Sequence, residues 1–169
     1  YYYIRGVNVN NAKKLIEFLI DNNLTITTAE SCTGGMISST LVDIDGASNV
    51  LHEAHVTYAN EAKVKYLEVS EQTIIDKGVV SYEVAKQMAY GSSKLAHADV
   101  AISVTGYAGS NNPCKAEDDE STGLVYIGCF YNNNVVVEQY RFKGNRMEIR
   151  QQATEKAIDL ALNTLGEKI

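Results

Sequence analysis

Apolar residues recur along this chain with two periods, one near 3.6 and one near 2, and each change of period marks an element. Leu15, Ile16 and Leu19 at helical spacing predict a first helix, with Asn10 or Asn11 as the expected cap. "LTITTAE", Leu24 to Glu30, is rich in β-branched residues and predicts a strand. Met36, Ile37, Thr40, Leu41 and Ile44 then share one helical stripe, which "DGAS" at Asp45 to Ser48 interrupts. "NVLHEAHVTYA", Asn49 to Ala59, predicts a second strand, followed by short helical turns through Lys77.

Val84, Ala85, Met88, Ala89, Ser92 and Leu95 outline a helix with one buried face. Ser81 is its expected N-cap, and Glu83 sits in the first turn, where the helix dipole favours a carboxylate. "DVAISVTG", Asp99 to Gly106, is nearly continuous in apolar character, as expected of a strand covered on both faces. "GLVYIGCFY", Gly123 to Tyr131, and "VVVEQYRF", Val135 to Phe142, flank Asn132-Asn133-Asn134 and predict a hairpin, because asparagine tolerates positive φ. A last helix carries Ile149, Ala153, Ala157, Leu160, Ala161 and Thr164.

Strands alternating with helices, closed by a hairpin, predict a three-layer α/β/α sandwich with a mixed, mostly parallel sheet. No internal repeat or long linker interrupts the 169 residues, and proline occurs once. A single domain over 1–169 is expected, with its core at about 10–166.

Composition narrows the function classes. A net charge of −6 has the wrong sign for a default nucleic-acid binder, so no nucleic-acid partner is expected. The acidic block "KAEDDES", Lys115 to Ser121, reads as a solvated loop. No run of about 18 apolar residues exists, and no basic-then-apolar leader precedes the first helix, so neither a membrane partner nor secretion is expected. Three cysteines, Cys32, Cys114 and Cys129, form neither a disulfide framework nor a zinc knuckle, which fits a cytoplasmic location.

In open α/β sheets ligands gather beyond the carboxyl ends of the strands. Three such ends carry polar or glycine-bearing stretches: "ESCTGG" after the first strand, "TYANEAK" after the second and "TGYAGS" after the third. Parallel strands would bring all three to one rim. "ESCTGG" offers a sharp turn and N–H groups suited to phosphate or a developing oxyanion, or simply a helix capped by Ser31 or Thr33. It is neither a G-x-S-x-G elbow nor a Walker loop.

"TYANEAK" supplies Tyr58, Asn60, Glu61 and Lys63. Lys63 is either a surface cation or a general base whose pKa burial brings down. Gly106 and Gly109 form either an anion nest or a turn chosen for geometry alone. "HEAH", His52 to His55, is one residue short of a zincin motif, so no metal is expected, and no histidine falls on the rim to make a triad. Arg146 and Arg150 share a helical face near the start of the last helix, where either could clamp a phosphate or pair with the acidic surface.

"AESCTGG", "VTYANEAK", "GVVSYEVAKQMA", "ADVAISVTGYAG", "GLVYIG" and "F.GNR..IR..A" follow one another in the order seen in the CinA C-terminal domain family. The chain resembles that family, which includes nicotinamide-nucleotide amidohydrolases, over roughly Leu15 to Leu165. The resemblance implies an α/β/α fold and a metal- and cofactor-free Ser/Lys mechanism. The reaction implied is hydrolysis of the carboxamide of nicotinamide mononucleotide to nicotinate mononucleotide and ammonia, a step of pyridine-nucleotide salvage. It further implies Ser31 as nucleophile, Lys63 as base and Tyr58 as an assistant in proton transfer or positioning.

Substrate contacts are then expected from Glu30, Thr33, Gly34, Gly35, Asn60, Thr105, Gly106, Gly109 and Arg146, with amides near Thr33, Gly34 and Gly35 as oxyanion donors. The only expected partners are the small nucleotide and further copies in a homo-oligomer. Departures from the family pattern are Ser110 where proline is usual, "NNPCKAEDDESTG" in place of a glycine- and proline-rich loop, and Gly144-Asn145-Arg146 for "GDR". They motivate an alternative: a nucleotide-binding or regulatory CinA-like module with little or no catalysis. A thiol-based role for Cys32 lacks a CxxC partner.

Overall fold

The computed structural model describes residues 3–4, 7–109 and 121–166. The substituted loop and most of the acidic run, 110–120, lie outside them, as does Cys114. Two short strands, β1 (Tyr3–Ile4) and β2 (Val7–Asn8), pair antiparallel and lead into α1 (Asn10–Asp21). There follow β3 (Ile26–Glu30), α2 (Met36–Val42), a 3-10 turn over Ala47–Asn49, β4 (His55–Val56), α3 (Asn60–Leu67), α4 (Glu71–Lys77) and α5 (Tyr82–Ala96). The chain then runs through β5 (Val100–Gly106), β6 (Leu124–Tyr131), β7 (Asn134–Arg141) and α6 (Arg146–Thr164).

The main sheet has five strands in the order β4-β3-β5-β6-β7. β3 is parallel to both β4 and β5, whereas β6 is antiparallel to β5 and to β7. β6 alone therefore opposes the direction shared by the other four, giving the mixed α/β sheet expected. Alternation along β5 builds the layers. Val100, Ile102 and Val104 face the larger core with α1, α2 and α6, whose buried residues include Leu15, Ile37 and Ile149. Ala101 packs with Ala89 on the opposite face, and Ser103 Oγ donates to Ala85 O at 2.6 Å, so small side chains let α5 approach closely.

The β6–β7 turn forms as the asparagines predict, with φ of 49° at Asn132 and 59° at Asn133. Ser81 caps α5 through Val84 N. Three expectations change. The cap position of α1 is Val9, and the Asn8 side chain receives the Asn10 amide. Leu95 is exposed rather than on the buried face. The long second strand shrinks to His55–Val56, with one further bridge at Leu51; nearby, the Thr27 hydroxyl donates to Glu53 O at 2.8 Å.

Candidate active site

The carboxyl ends of β3, β4 and β5 meet at one rim because those strands run parallel. Ser31 follows β3 directly, and its amide donates to Val104 O on β5 at 3.0 Å, which aligns the turn with the neighbouring strand. Gly34 and Gly35 both adopt positive φ, 60° and 92°, so the chain reverses within two residues before α2. That turn needs a holder, and Glu30 supplies it.

Glu30 is fully buried, and its carboxylate accepts from the amides of Gly35 and Ile37, each at 3.0 Å, and of Ser38 at 2.8 Å. It therefore does what an N-cap does for α2, in place of the Ser31 or Thr33 hydroxyl that the sequence suggested. On the other side, Arg150 of α6 donates Nε to Cys32 O at 3.1 Å and Nη2 to Thr33 O at 2.7 Å. Among the described residues its guanidinium engages the turn, where the sequence suggested a phosphate clamp or a pairing with the acidic surface. The reversal is thus gripped by an acid at its amides and a base at its carbonyls.

Lys63 reaches the same turn from α3. It is 1% exposed, and its Nζ lies 3.0 Å from Ser31 Oγ, 2.8 Å from Thr57 O and 3.1 Å from Tyr58 O. Burial lowers its pKa to about 8, although the neighbouring Cys32 thiol and Glu61 carboxylate oppose that shift. Two of its three partners are carbonyls, which only accept. In the neutral amine both N–H bonds go to Thr57 O and Tyr58 O, and the lone pair faces the one partner able to donate, the Ser31 hydroxyl.

Around this pair opens a cleft lined by Ser31, Cys32, Tyr58, Asn60, Thr105, Gly106, Gly109 and Arg146. Arg146, at the start of α6, donates Nη2 to the Tyr58 hydroxyl at 2.8 Å, closing one wall. Gly109 lets the arginine lie flat, since a Cβ there would sit 3.1 Å from Arg146 Nη1. The phenol of Tyr58 is turned toward Arg146, while its main-chain oxygen holds the lysine. Thr105 is 1% exposed and spends its hydroxyl on Val79 O at 2.8 Å, tying the loop before α5 to the end of β5.

Several expected substrate contacts are corrected. Glu30 lies beneath the turn, not on the cleft, with its oxygens occupied. Thr33 is fully buried and acts through its carbonyl. Gly34 N donates to Ser31 O and Gly35 N to Glu30, so neither amide is available to an oxyanion. The amides of Cys32 and Thr33 donate to no oxygen among the described residues, and Cys32 borders the cleft. Burial raises the Cys32 thiol pKa to about 11, which suits a packed side chain rather than a nucleophile.

Glu30 and Arg150 hold the turn of this candidate site in a way that spacing alone misplaces, because their partners are main-chain atoms. Among the described residues no cluster of three or more His, Cys, Asp or Glu side chains is disposed to hold a metal, and no helix is long and apolar enough to cross a membrane.

The sequence matches the family described as CinA C-terminal domain over residues 8–165. A putative competence-damage inducible protein of Caldicellulosiruptor saccharolyticus is 44% identical over 164 residues, covering 96% of this chain and 39% of its own length. A CinA-like protein of Kosmotoga olearia is 39% identical over 164 residues, again 39% of its length. The chain thus spans well under half of these relatives. Solved structures correspond end to end. A competence/damage inducible protein from Agrobacterium tumefaciens superposes with a TM-score of 0.86 at 34% identity, covering 94% of this chain and 95% of the other. A CinA superfamily protein from Enterobacter cloacae gives 0.87 at 29%, covering 98% and 96%.

Proposed function

Since the chain belongs to the CinA C-terminal domain family, we propose that it is an amidohydrolase that cleaves the carboxamide of nicotinamide mononucleotide through Ser31 and Lys63. The observation that carries this reading is the 3.0 Å approach of a buried Lys63 Nζ to Ser31 Oγ at the mouth of a cleft. A serine hydroxyl is a poor nucleophile until a base takes its proton as it attacks. A lysine serves as that base only when its neutral form is accessible near working pH, and here burial lowers its pKa to about 8.

In the proposed cycle the neutral Lys63 amine accepts the Ser31 proton while Oγ attacks the amide carbon. The ammonium so formed is held by Thr57 O and Tyr58 O, which stabilise its positive charge. It then returns the proton to the departing nitrogen, releasing ammonia and leaving a Ser31 ester. Water, deprotonated by the same amine, attacks the ester carbon, and the ammonium returns that proton to the departing Ser31 Oγ, freeing the carboxylate and restoring the pair. The Cys32 amide, adjacent to the nucleophile and with no oxygen to donate to among the described residues, is the donor best placed for the tetrahedral oxyanion. At the outer wall, the Arg146 guanidinium supplies a cation for the substrate's phosphate, with Asn60 and Gly109 beside it.

Incubating the protein with nicotinamide mononucleotide and measuring ammonia tests the reading. Release that is lost in both Ser31→Ala and Lys63→Ala supports it; tight nucleotide binding with no release at any pH would support a regulatory module instead.

A further inference from the structure

A second chain of polar groups stands behind the lysine. β4 sits at the edge of the sheet and is two residues long, so its ladder to β3 amounts to the pairs Ala29–His55 and Glu30–Val56, extended by Thr57 N donating to Glu30 O at 2.9 Å. Val56 is 53% exposed and contributes no apolar anchor. Yet the residues that follow immediately, Thr57 and Tyr58, offer the two carbonyls that grip Lys63 Nζ.

The inward-facing side chain of this strand is His55. Its Nδ1 lies 2.8 Å from Ser92 Oγ on α5, and its Nε2 lies 2.7 Å from Glu53 Oε1. Because a carboxylate only accepts, Nε2 carries the hydrogen, and in the neutral ring Nδ1 accepts from the Ser92 hydroxyl. Glu53 is in turn tied down through its carbonyl by the Thr27 hydroxyl at 2.8 Å. The connectivity serine–histidine–carboxylate is that of an acyl-transfer triad, but Ser92 is fully buried and beyond the reach of a substrate. The relay therefore serves structure: it fastens a strand too short to be held by its own ladder.

We propose that His55, bridging Ser92 and Glu53, is a positioning residue that sets the two-carbonyl clamp on Lys63 and so the aim of its amine at Ser31. This rests on the reading of Lys63 as the base. The clamp tolerates little movement, because hydrogen bonds weaken steeply as distance and angle depart from their optimum, and a misplacement of about 1 Å costs on the order of 10²-fold in rate. The titratable groups acting on the amine, the Cys32 thiol and Glu61, lie outside the strand that carries His55.

The test pairs two readouts on His55→Ala, Ser92→Ala, His55→Gln and the His55→Ala/Ser92→Ala double variant. One is the midpoint of Lys63 followed by NMR on protein carrying 13Cε-labelled lysine, with Lys63→Arg assigning the signal. The other is ammonia release from nicotinamide mononucleotide across pH. Loosening the clamp should weaken the two carbonyl contacts and admit water to the amine, so both alanine variants should shift the Lys63 midpoint by about half a pH unit or more and cut kcat about tenfold. The double variant should be no worse than either single one, and His55→Gln, which keeps a hydrogen bond to Ser92, should recover most of the loss.

An unchanged Lys63 midpoint and rate in His55→Ala, or additive losses in the double variant, would overturn the proposal. Should His55→Ala melt before assay, Ser92→Ala, which deletes one hydroxyl, decides the question in the same way. The NMR midpoint reads the clamp even if no amide is hydrolysed, so failure of the amidase reading and failure of this inference are separately visible.

Discussion

Lys63 Nζ and Ser31 Oγ, 32 positions apart in sequence, stand 3.0 Å apart because two parallel strands deliver their following loops to the same rim. The lysine has no solvent to hold its charge and only two carbonyls besides the serine. In this arrangement the neutral amine is accessible, with a pKa lowered by burial to about 8.

The rate should depend on pH through one proton. With the Lys63 pKa near 8, the neutral fraction falls about tenfold for each pH unit below that value. The kcat/KM for ammonia release should therefore climb about tenfold per unit between pH 5 and 7 and level off above about pH 8.5. A steady-state profile that is flat across this range is incompatible with lysine as the base.

Stability should carry the same signature. Burial lowers the folded-state pKa from 10.5 to about 8, so between those values the unfolded chain binds more protons than the folded one, and stability rises with pH. Below pH 8 both forms are protonated and the fold bears the cost of the buried charge. Denaturant unfolding of wild type and Lys63→Met at pH 7 and pH 10 should show the difference moving toward wild type by at most about 3 kcal/mol. No relative change between the two pH values would mean that the lysine is not desolvated.

Glu30 should be a structural keystone for catalysis. Glu30→Gln places an amide N–H₂ among the three backbone N–H groups that the carboxylate now satisfies. Thermal unfolding should show a loss of about 2–4 kcal/mol, with activity down at least about 10²-fold because the Ser31 turn loses its shape.

The two arginines on the last helix should separate kinetically. Arg150→Lys loses the two-pronged grip on Cys32 O and Thr33 O and should lower kcat about tenfold with little change in KM. Arg146→Ala removes a cation from the cleft wall and should chiefly raise KM for a phosphorylated substrate, and have much less effect on its dephosphorylated counterpart.

Much of this architecture is legible in the sequence. The period of Val84, Ala85, Met88 and Ala89 marks α5, the unbroken run at Val100 to Gly106 marks the central strand, and Asn132-Asn133 marks the hairpin turn. These features are local, so spacing reveals them. The stretch around His52 to Tyr58 misleads because its β-branched and aromatic residues suit a strand, whereas only His55 and Val56 pair as one, with a single backbone bond beyond them at Thr57 and side-chain hydrogen bonds at His55 and Glu53. Ser31, Lys63 and Arg146 are recognisable as chemistry. The roles of Glu30 and Arg150 are not, since nothing in a sequence says that a carboxylate will meet amides five to eight residues on, or that a guanidinium will meet carbonyls 118 and 117 positions away.

Rapid-quench intact-mass spectrometry on the protein mixed with nicotinamide mononucleotide at pH 8 reads the Ser31 ester itself. A transient adduct with the mass of nicotinate mononucleotide less water is expected, mapped by proteolysis to Ser31, absent in Ser31→Ala and Lys63→Ala and undiminished in Cys32→Ala. Full turnover by Ser31→Ala, or an adduct mapped to Cys32, would contradict it.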